Sequence, residues 1–265
     1  MTMDDDEQMD SVDRFSARAG EYMRHRPEYP QAALDFLEEQ DYLGMGTKVA
    51  DVGSGTSIFT RQLIGKGCEV WAVEPNAAMR TLAETQLGER AMFHSVPADA
   101  EDTRLDDGSV ELVTAAQAFH WFDAEAAREE FSRILQSPKR VAFLWNIRDR
   151  EGSPFMEALE DVIRTHGENY DEIVGGYERH VEKLEAFFGG TRAEGAFDHR
   201  TFEHSQTVDE HGLLGLVTSF SYMPRPNDEG FDAMVEALRE VFADHAEAGS
   251  VEIQYLTELY YGTLP

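Results

Sequence analysis

Two acidic residues flank a glycine turn in the segment KVADVGSGTSIFTRQLIGKGCEVWAVEPNAAM, residues 48–79. Asp51 lies at the end of an apolar run, Gly53 and Gly55 follow it, and Glu74 ends the next apolar run. Glycines let the backbone bend sharply and approach a ligand closely, and the helix after such a turn offers free N–H groups to an anion. A carboxylate at the next strand tip can accept hydrogen bonds from two ribose hydroxyls, and Asp51 can meet an ammonium group. The pattern predicts a site for a nucleoside that carries an amino acid.

A dinucleotide fits this turn less well. The dinucleotide pattern G-x-G-x-x-G needs a third glycine where this chain has Ile58, and no lysine follows as in a phosphate-binding P-loop. A nicotinamide-dependent oxidoreductase is therefore kept as an alternative function. A purely structural glycine turn is the further alternative.

The surrounding sequence alternates short β-rich apolar runs with helical periods from Thr47 to Asn146, which is typical of βαβ units and a parallel sheet. Two later segments are candidate sixth and seventh strands. We predict an α/β fold with a Rossmann-like, mostly parallel seven-stranded sheet and helices on both faces. The predicted strands are Lys48–Val52, Glu69–Glu74, Ala91–Val96, Val110–Ala116, Arg140–Asn146, Phe202–Val208 and Val251–Tyr260.

Helical patterns dominate the chain after the fifth predicted strand. Ser153 and Pro154 form a strong start signal, and we interpret the helices that follow as an inserted lid. We expect a disordered acidic start over residues 1–13 and a single domain over residues 14–265. Its predicted parts are an arm and helix (14–40), a cofactor-binding core (47–146), a helical insertion or lid with the sixth strand (151–225), and a final helix and strand (226–265).

The composition limits the partners. A formal net charge of -29 over 265 residues repels phosphate backbones and anionic membranes, so we expect neither nucleic acid nor membrane as a partner. The acidic start does not resemble a signal peptide, and we expect a cytoplasmic protein. Cys68 is the one cysteine, which excludes an internal disulfide, and we expect no metal. The oligomeric state stays open.

The glycine turn carries a family resemblance. DVGSGTS, residues 51–57, resembles the nucleoside-binding loop of the class I methyltransferases, whose cofactor is S-adenosylmethionine. PADAEDTRLDDGSVELV, residues 97–113, is similar to the family's segment in which an acid-Ala pair holds the adenine. VTAAQAFHWFD, WNIRD, SYMPRP and YLTELYYG resemble type-11 domains of the small-molecule subgroup related to trans-aconitate methyltransferase. In the family's turn a small residue occupies the position of Ser57, which is tolerable if Ser57 caps the next helix.

The resemblance implies a set of site residues. Phe119, His120 and Trp121 would form a wall near the adenine or the transferable methyl group, and His120 is a candidate base because its ordinary pKa suits proton removal near neutral pH. The alternative is that His120 only orients or packs. The implied cofactor-binding residues are Asp51, Gly53, Ser54, Gly55, Glu74, Pro75, Met79, Asp99, Ala100, Ala116, Gln117 and Trp121.

Candidate substrate contacts lie at the ends of strands and in the amino-terminal arm. Trp145 could instead be a core residue, and Arg148 could instead pair with a surface acid. The amino-terminal arm could merely pack on the sheet. The candidates are Tyr22, Arg26, Trp145, Asn146, Arg148 and Tyr222.

The sequence thus predicts methyl transfer from S-adenosylmethionine to a small-molecule acceptor, with a carboxylate as the candidate group. In-line substitution at a sulfonium needs alignment and exclusion of water more than an acid-base pair. A non-catalytic protein that binds S-adenosylmethionine is the alternative from another class.

Overall fold

The computed structural model describes Gly20, residues 24–170 and residues 180–265. Tyr22 lies outside these residues. The described chain contains a seven-stranded sheet. Its strands are β1 (Lys48–Val52), β2 (Glu69–Val73), β3 (Phe93–Val96), β4 (Val110–Ala116), β5 (Leu135–Arg148), β6 (Phe197–Val208) and β7 (Val251–Thr263).

A helix follows each of β1, β2 and β4, whereas β3 connects to β4 without one, and helices predominate between β5 and β7 in the described chain. Among the described residues, two short 3₁₀ turns, Phe119–Trp121 and Arg192–Glu194, supplement them. The α-helices are α1 (Gln31–Glu39), α2 (Ile58–Gly65), α3 (Ala77–Leu87), α4 (Ala124–Ile134), α5 (Pro154–His166), α6 (His180–Phe188), α7 (Glu210–Thr218) and α8 (Phe231–His245).

The strand order is β3-β2-β1-β4-β5-β7-β6. β1 pairs in parallel with β2 and with β4, and in the register Asp51 lies opposite Ala72 on one side and Thr114 on the other. The chain therefore moves outward from β1 to β3 and then returns to the other side of β1. Open α/β sheets bind ligands at such a switch point, outside the carboxyl ends of the strands.

Side-chain caps fix where two helices begin at this edge. Asn76 accepts hydrogen bonds from the backbone N–H groups of Ala78 and Met79 at the start of α3. Asp123 does the same for Glu125 and Ala126 at the start of α4. Each cap satisfies N–H groups that a helix start leaves without partners, so the turn after each strand has a defined end.

The chain divides into two compact units. The larger unit comprises Glu28–Asn146, Arg179–Phe202 and Thr257–Pro265, and the smaller unit comprises the remainder. The core of the larger unit contains fully buried Leu34, Leu63, Val70, Leu112 and Leu144.

The smaller unit has its own apolar core. Met156 and Ile163 of α5 pack in one cluster with Leu216 of α7, Leu238 of α8 and Ile253 of β7, and all are buried. Burial of such side chains contributes about 1.5–3 kcal/mol each, so this cluster is a substantial source of stability for the unit.

The predicted fold class is confirmed, while several predicted boundaries differ. β5 begins at Leu135 rather than Arg140, and β6 begins at Phe197 rather than Phe202. Pro138 lacks the N–H that a helix needs, and it disfavours helical backbone at Ser137, so the segment after α4 continues as an extended chain. The single domain over residues 14–265 stays a prediction.

Candidate active site

The glycine turn after β1 is shaped by two residues with left-handed backbone. Gly53 has φ +66° and Gly55 has φ +56°. A Cβ atom placed on Gly53 would lie 2.5 Å from the Cβ of Ala118, in the segment after β4. Because non-bonded carbon atoms need about 3.5–4.0 Å, only glycine fits here. The turn therefore packs directly against the segment that follows β4.

Asp51 is buried, and two threonine hydroxyls hold its carboxylate. Thr60 Oγ1 donates to Asp51 Oδ2 at 2.5 Å, and Thr114 Oγ1 donates to Oδ1 at 2.8 Å. Burial raises the pKa of Asp51 to about 6, although both hydrogen bonds favour the ionised form. A cationic group bound beside this carboxylate would complete its ionisation, which suits the ammonium group predicted from the sequence.

Glu74 is oriented by the backbone on both sides of it. Gly55 N donates to Glu74 Oε2 at 2.9 Å and Asn76 N donates to Oε1 at 2.8 Å. Burial raises the pKa of Glu74, and the nearby Asp99 adds a smaller contribution of the same sign. Each carboxylate oxygen has a second lone pair, so this carboxylate can accept two ribose hydroxyls without moving.

Two hydroxyl groups of the glycine turn are buried without a protein partner among the described residues. They are Thr56 Oγ1 and Ser57 Oγ. Ser57 does not cap α2 with its side chain, because it has φ +64° and makes no cap hydrogen bond, so the condition that the sequence analysis set for a serine at this position is not met. Buried hydroxyls are normally hydrogen-bonded, so the pair is a specific indication of a polar ligand at the turn. The residues present thus fit S-adenosylmethionine.

The other predicted cofactor residues also lie at this edge of the larger unit. Met79 Sδ lies 3.6 Å from where a Cβ of Gly55 would be, and Gln117 has φ +59° and donates from Nε2 to the Asn146 carbonyl at 2.7 Å. Ala100 is buried, whereas Trp121 is half exposed. The edge therefore combines a rigid polar end at Glu74 with an apolar surface after β4.

Comparison with known proteins identifies relatives of this chain. A family model described as a methyltransferase domain matches residues 50–143. An uncharacterized methyltransferase of Mycobacterium tuberculosis is 28% identical over 253 residues, which cover 94% of this chain and 95% of that protein. A Saccharomyces cerevisiae protein assigned as an S-adenosylmethionine-dependent methyltransferase is 32% identical over 144 residues, which cover 52% of this chain and 48% of that protein.

The chain belongs to the class I S-adenosylmethionine-dependent methyltransferases.

A solved structure shares the fold of this methyltransferase. It is assigned as a type II methyltransferase from Anaeromyxobacter dehalogenans, with a TM-score of 0.61 and 22% identity, covering 91% of this chain and 99% of that one.

Because the chain is a methyltransferase, a nicotinamide-dependent oxidoreductase is no longer an alternative function. The narrower subgroup related to trans-aconitate methyltransferase stays a prediction. In the described part of the methyltransferase, no helix is long and apolar enough to cross a membrane, and no group of metal-binding side chains is found.

The substrate residues predicted from the end of β5 differ in their surroundings. Trp145 is buried and its Nε1 donates to His120 Nδ1 at 3.5 Å. Asn146 Oδ1 accepts from Thr257 Oγ1 at 2.6 Å, and its Nδ2 donates to the carbonyl of Glu28 at 3.2 Å. Asn146 therefore holds the amino-terminal arm and β7 in place, a structural role that the sequence did not predict.

Three predicted substrate residues of the smaller unit surround one ring. The guanidinium carbons of Arg26 and Arg148 each lie 4.6 Å from the centre of the Phe220 ring. Arg148 Nη2 lies 3.1 Å from Glu160 Oε2 and 3.5 Å from the hydroxyl of Tyr222. The alternative of a surface acid was wrong, because Glu160 is almost completely buried.

Sequence reasoning missed the partners of this arginine pair. Ser219 Oγ accepts from Arg26 Nε at 3.1 Å, and Phe220 supplies the shared ring. Glu160 also accepts from Tyr170, so it is the centre of a buried polar network. Phe155, Met156, Leu159 and Ile163 give α5 its apolar face, and an acid within such a helix carries no pattern that predicts burial.

Proposed function

We propose that this methyltransferase methylates a small molecule that carries a carboxylate. The observation that supports this proposal is that two guanidinium groups, those of Arg26 and Arg148, each contact the ring of Phe220. Guanidinium groups bind carboxylates through paired, charge-assisted hydrogen bonds. Such a concentration of positive charge is unusual in a chain with a net charge of -29, where acids outnumber bases.

The cofactor supplies a methyl group on a positively charged sulfur. We propose that Asp51 binds its ammonium group, that Glu74 binds its ribose hydroxyls, and that Asp99 and Ala100 bind its adenine. The hydroxyls of the turn and the N–H groups at the start of α2 complete the polar set for its carboxylate. These contacts fix the donor, so that alignment with the acceptor provides most of the rate enhancement.

The acceptor class is tested by turnover on matched compounds. We expect formation of the demethylated cofactor with a panel of small mono- and dicarboxylic acids, and at least about tenfold slower turnover with the corresponding primary amides, since each lost charge-assisted hydrogen bond costs about 1.5–3 kcal/mol. Equal turnover on acids and amides, or turnover on amines alone, would contradict the carboxylate.

Binding of the cofactor is measured separately by calorimetry. S-adenosylmethionine and its demethylated product should bind, and NAD should not. A protein that binds the cofactor but shows no turnover on the panel would favour the non-catalytic alternative.

We also propose that the protein acts in the cytoplasm and that its acceptor is not a nucleic acid. The net charge of -29 supports the proposal that the acceptor is not a nucleic acid, because phosphate backbones bind through Lys and Arg contacts. Methylation of bulk RNA or DNA under low-salt conditions would contradict it.

A further inference from the structure

Arg80 is the fourth residue of α3, and its side chain reaches back over the turn that joins β2 to this helix. Its Nη1 atom donates to the carbonyl of Glu74 at 2.7 Å and to the carbonyl of Pro75 at 2.6 Å. The side chains of a helix point toward its amino-terminal end, so an arginine at this position can contact residues before the helix. The guanidinium of Arg80 therefore holds the turn that carries Glu74.

The two carbonyls that Arg80 contacts lie outside the hydrogen-bond ladder of α3. Asn76 is the N-cap residue, and its carbonyl accepts the helical hydrogen bond of Arg80 N at 3.0 Å. The other polar groups of Glu74 are bonded as well, since its N–H donates to the carbonyl of Val96 at 3.0 Å and its carboxylate accepts from the backbone on both sides. Arg80 thus contributes to a turn in which both the backbone and the carboxylate of Glu74 are fixed.

The positive charge of Arg80 lies where a helix disfavours a cation. The amino terminus of an α-helix carries a partial positive charge, so a basic side chain there is unfavourable unless an anion lies nearby. Burial raises the pKa of Glu74, and the charge of Arg80 opposes this rise while Asp99, after β3, adds to it. Burial and, to a smaller degree, Glu74 raise the pKa of Asp51 on β1. Arg80 therefore places a positive charge in a region that holds three carboxylates.

We propose that Arg80 is a positioning residue of the cofactor site, whose guanidinium holds the turn before α3 and places a positive charge near the Glu74 carboxylate. This inference rests on the proposed function, in which Glu74 accepts the ribose hydroxyls. Ionised Glu74 is the better acceptor for hydroxyl groups, because one oxygen of a protonated carboxyl is a donor. Arg80 acts on the cofactor through Glu74, by favouring the form that binds the ribose.

The effect of Arg80 on Glu74 is measured directly in the protein without cofactor. NMR of the protein with ¹³C-labelled glutamate carboxyls gives the pH at which each carboxyl titrates, and the Glu74 signal is assigned by its loss in Glu74→Gln. We expect Glu74 to titrate at a higher pH in Arg80→Gln, which keeps an N–H donor but loses the charge. In Arg80→Lys, which keeps the charge, the titration should stay near that of the unaltered protein.

The matched control for the NMR titration is Arg90→Gln. Arg90 is an exposed residue just after α3, and its substitution changes the net charge by the same amount. The titration of Glu74 should not change in this variant. An unshifted titration in Arg80→Gln, or an equal shift in Arg80→Lys, would overturn the inference.

Cofactor affinity then separates positioning from a merely structural role. Calorimetry with S-adenosylhomocysteine, which carries the same ribose, should show about threefold to fivefold weaker binding to Arg80→Gln at pH 6, the range for a partly exposed charge interaction. At pH 8, where Glu74 is ionised in both proteins, the loss should be less than about twofold. A loss of equal size at both pH values would confine Arg80 to stabilising the turn and would overturn the inference.

The two experiments also distinguish this inference from the proposed function. Wild-type affinity in Glu74→Gln, together with a shifted titration in Arg80→Gln, would overturn the proposed ribose contact but not the effect of Arg80 on Glu74. Weak binding in Glu74→Gln, together with an unshifted titration in Arg80→Gln, would overturn the role of Arg80 alone.

Discussion

Glu74 and Gly55 are joined by a hydrogen bond in which the glycine N–H donates to the carboxylate at 2.9 Å. The acidic tip of β2 and the glycine turn after β1 are thus parts of one structure. Asn76 N donates to the other carboxylate oxygen, and the side chain of Asn76 begins α3. Such a carboxylate is oriented before the ligand arrives, which reduces the entropic cost of binding.

Replacing Glu74 by glutamine should remove this arrangement. An amide has one acceptor oxygen for two backbone donors, so one N–H faces an NH2 group. We expect about 100-fold weaker binding of S-adenosylmethionine in Glu74→Gln, measured by calorimetry, because hydrogen bonds to a charged group contribute about 1.5–3 kcal/mol. Glu84→Gln, an exposed acid on α3 that pairs with Ser95, is the matched control and should bind normally. Wild-type affinity in Glu74→Gln would remove this residue from the site.

The pKa of Asp51 predicts a pH dependence of cofactor binding. Because that pKa is about 6, the carboxylate is largely ionised at pH 7 and largely protonated at pH 5. Affinity for S-adenosylmethionine should fall about tenfold from pH 7 to pH 5, since an ammonium ligand requires the ionised form. Glu74, whose pKa is also raised, contributes in the same direction. The dependence should be smaller in Asp51→Asn, and an affinity independent of pH in the unaltered protein would contradict this role.

The raised pKa of Asp51 also affects the stability of the protein without ligand. Its contribution to stability decreases as the pH rises, whereas the affinity for the cofactor increases. A folded-state pKa above the unfolded value means that the folded protein binds the extra proton. The contribution of Asp51 is therefore present below pH 4 and is lost as the pH rises toward 6. Urea unfolding at pH 4, 5 and 6 should show a smaller decrease in the free energy of unfolding for Asp51→Asn than for the unaltered protein. An identical decrease in both proteins would show that Asp51 is not the group responsible.

Gly53 and Gly108 form a matched pair of glycines. Both have positive φ, +66° and +58°, but a Cβ on Gly53 would contact Ala118 at 2.5 Å, while one on Gly108 meets nothing within 4 Å. Each alanine variant bears the backbone strain of about 1–2 kcal/mol. The unfolding free energy of Gly53→Ala should be lower by a further 1–3 kcal/mol, roughly the cost of overpacking, and this variant should bind the cofactor more weakly. Equal unfolding free energies in the two variants would refute the close approach.

Arg148 and Arg150 both pair with Glu160, which allows a test of the acceptor site. Arg148 also lies on the Phe220 ring, whereas Arg150 Nε lies 3.3 Å from Glu160 Oε1. Arg148→Lys keeps the charge but loses the planar guanidinium, so KM for a carboxylate acceptor should rise about tenfold with little change in cofactor affinity. Arg150→Lys should leave KM unchanged. A normal KM in Arg148→Lys would confine this arginine to a structural role.

Local sequence patterns predict that Asp51 and Glu74 lie at the same edge of the sheet. Asp51 and Glu74 each follow an apolar run, and the ends of parallel strands meet at one edge, so their proximity follows from strand order. Thr60 and Thr114, which hold Asp51, were not predicted. Thr60 lies on the first turns of α2 and Thr114 on β4, and their contact with Asp51 depends on how helix and strands pack.

The proposed acceptor site consists of residues that are far apart in the sequence. Arg26 contacts Ser219 across 193 positions, and no local pattern links these residues. Arg148 and Tyr222 were predicted as site residues, but Phe220 was not, because an aromatic residue after an apolar helix is usually a core residue. Periodicity predicts which elements form. Periodicity does not predict which buried charged side chains form ion pairs.

The central claim, that the turn between Asp51 and Glu74 binds the adenosyl amino acid, is tested most directly by crystals grown with S-adenosylhomocysteine. We predict electron density with the ribose hydroxyls on the Glu74 carboxylate and the amino acid end beside Asp51, Thr56 and Ser57. Density for this ligand at another place, or no density at the turn at saturating concentration, would contradict the account.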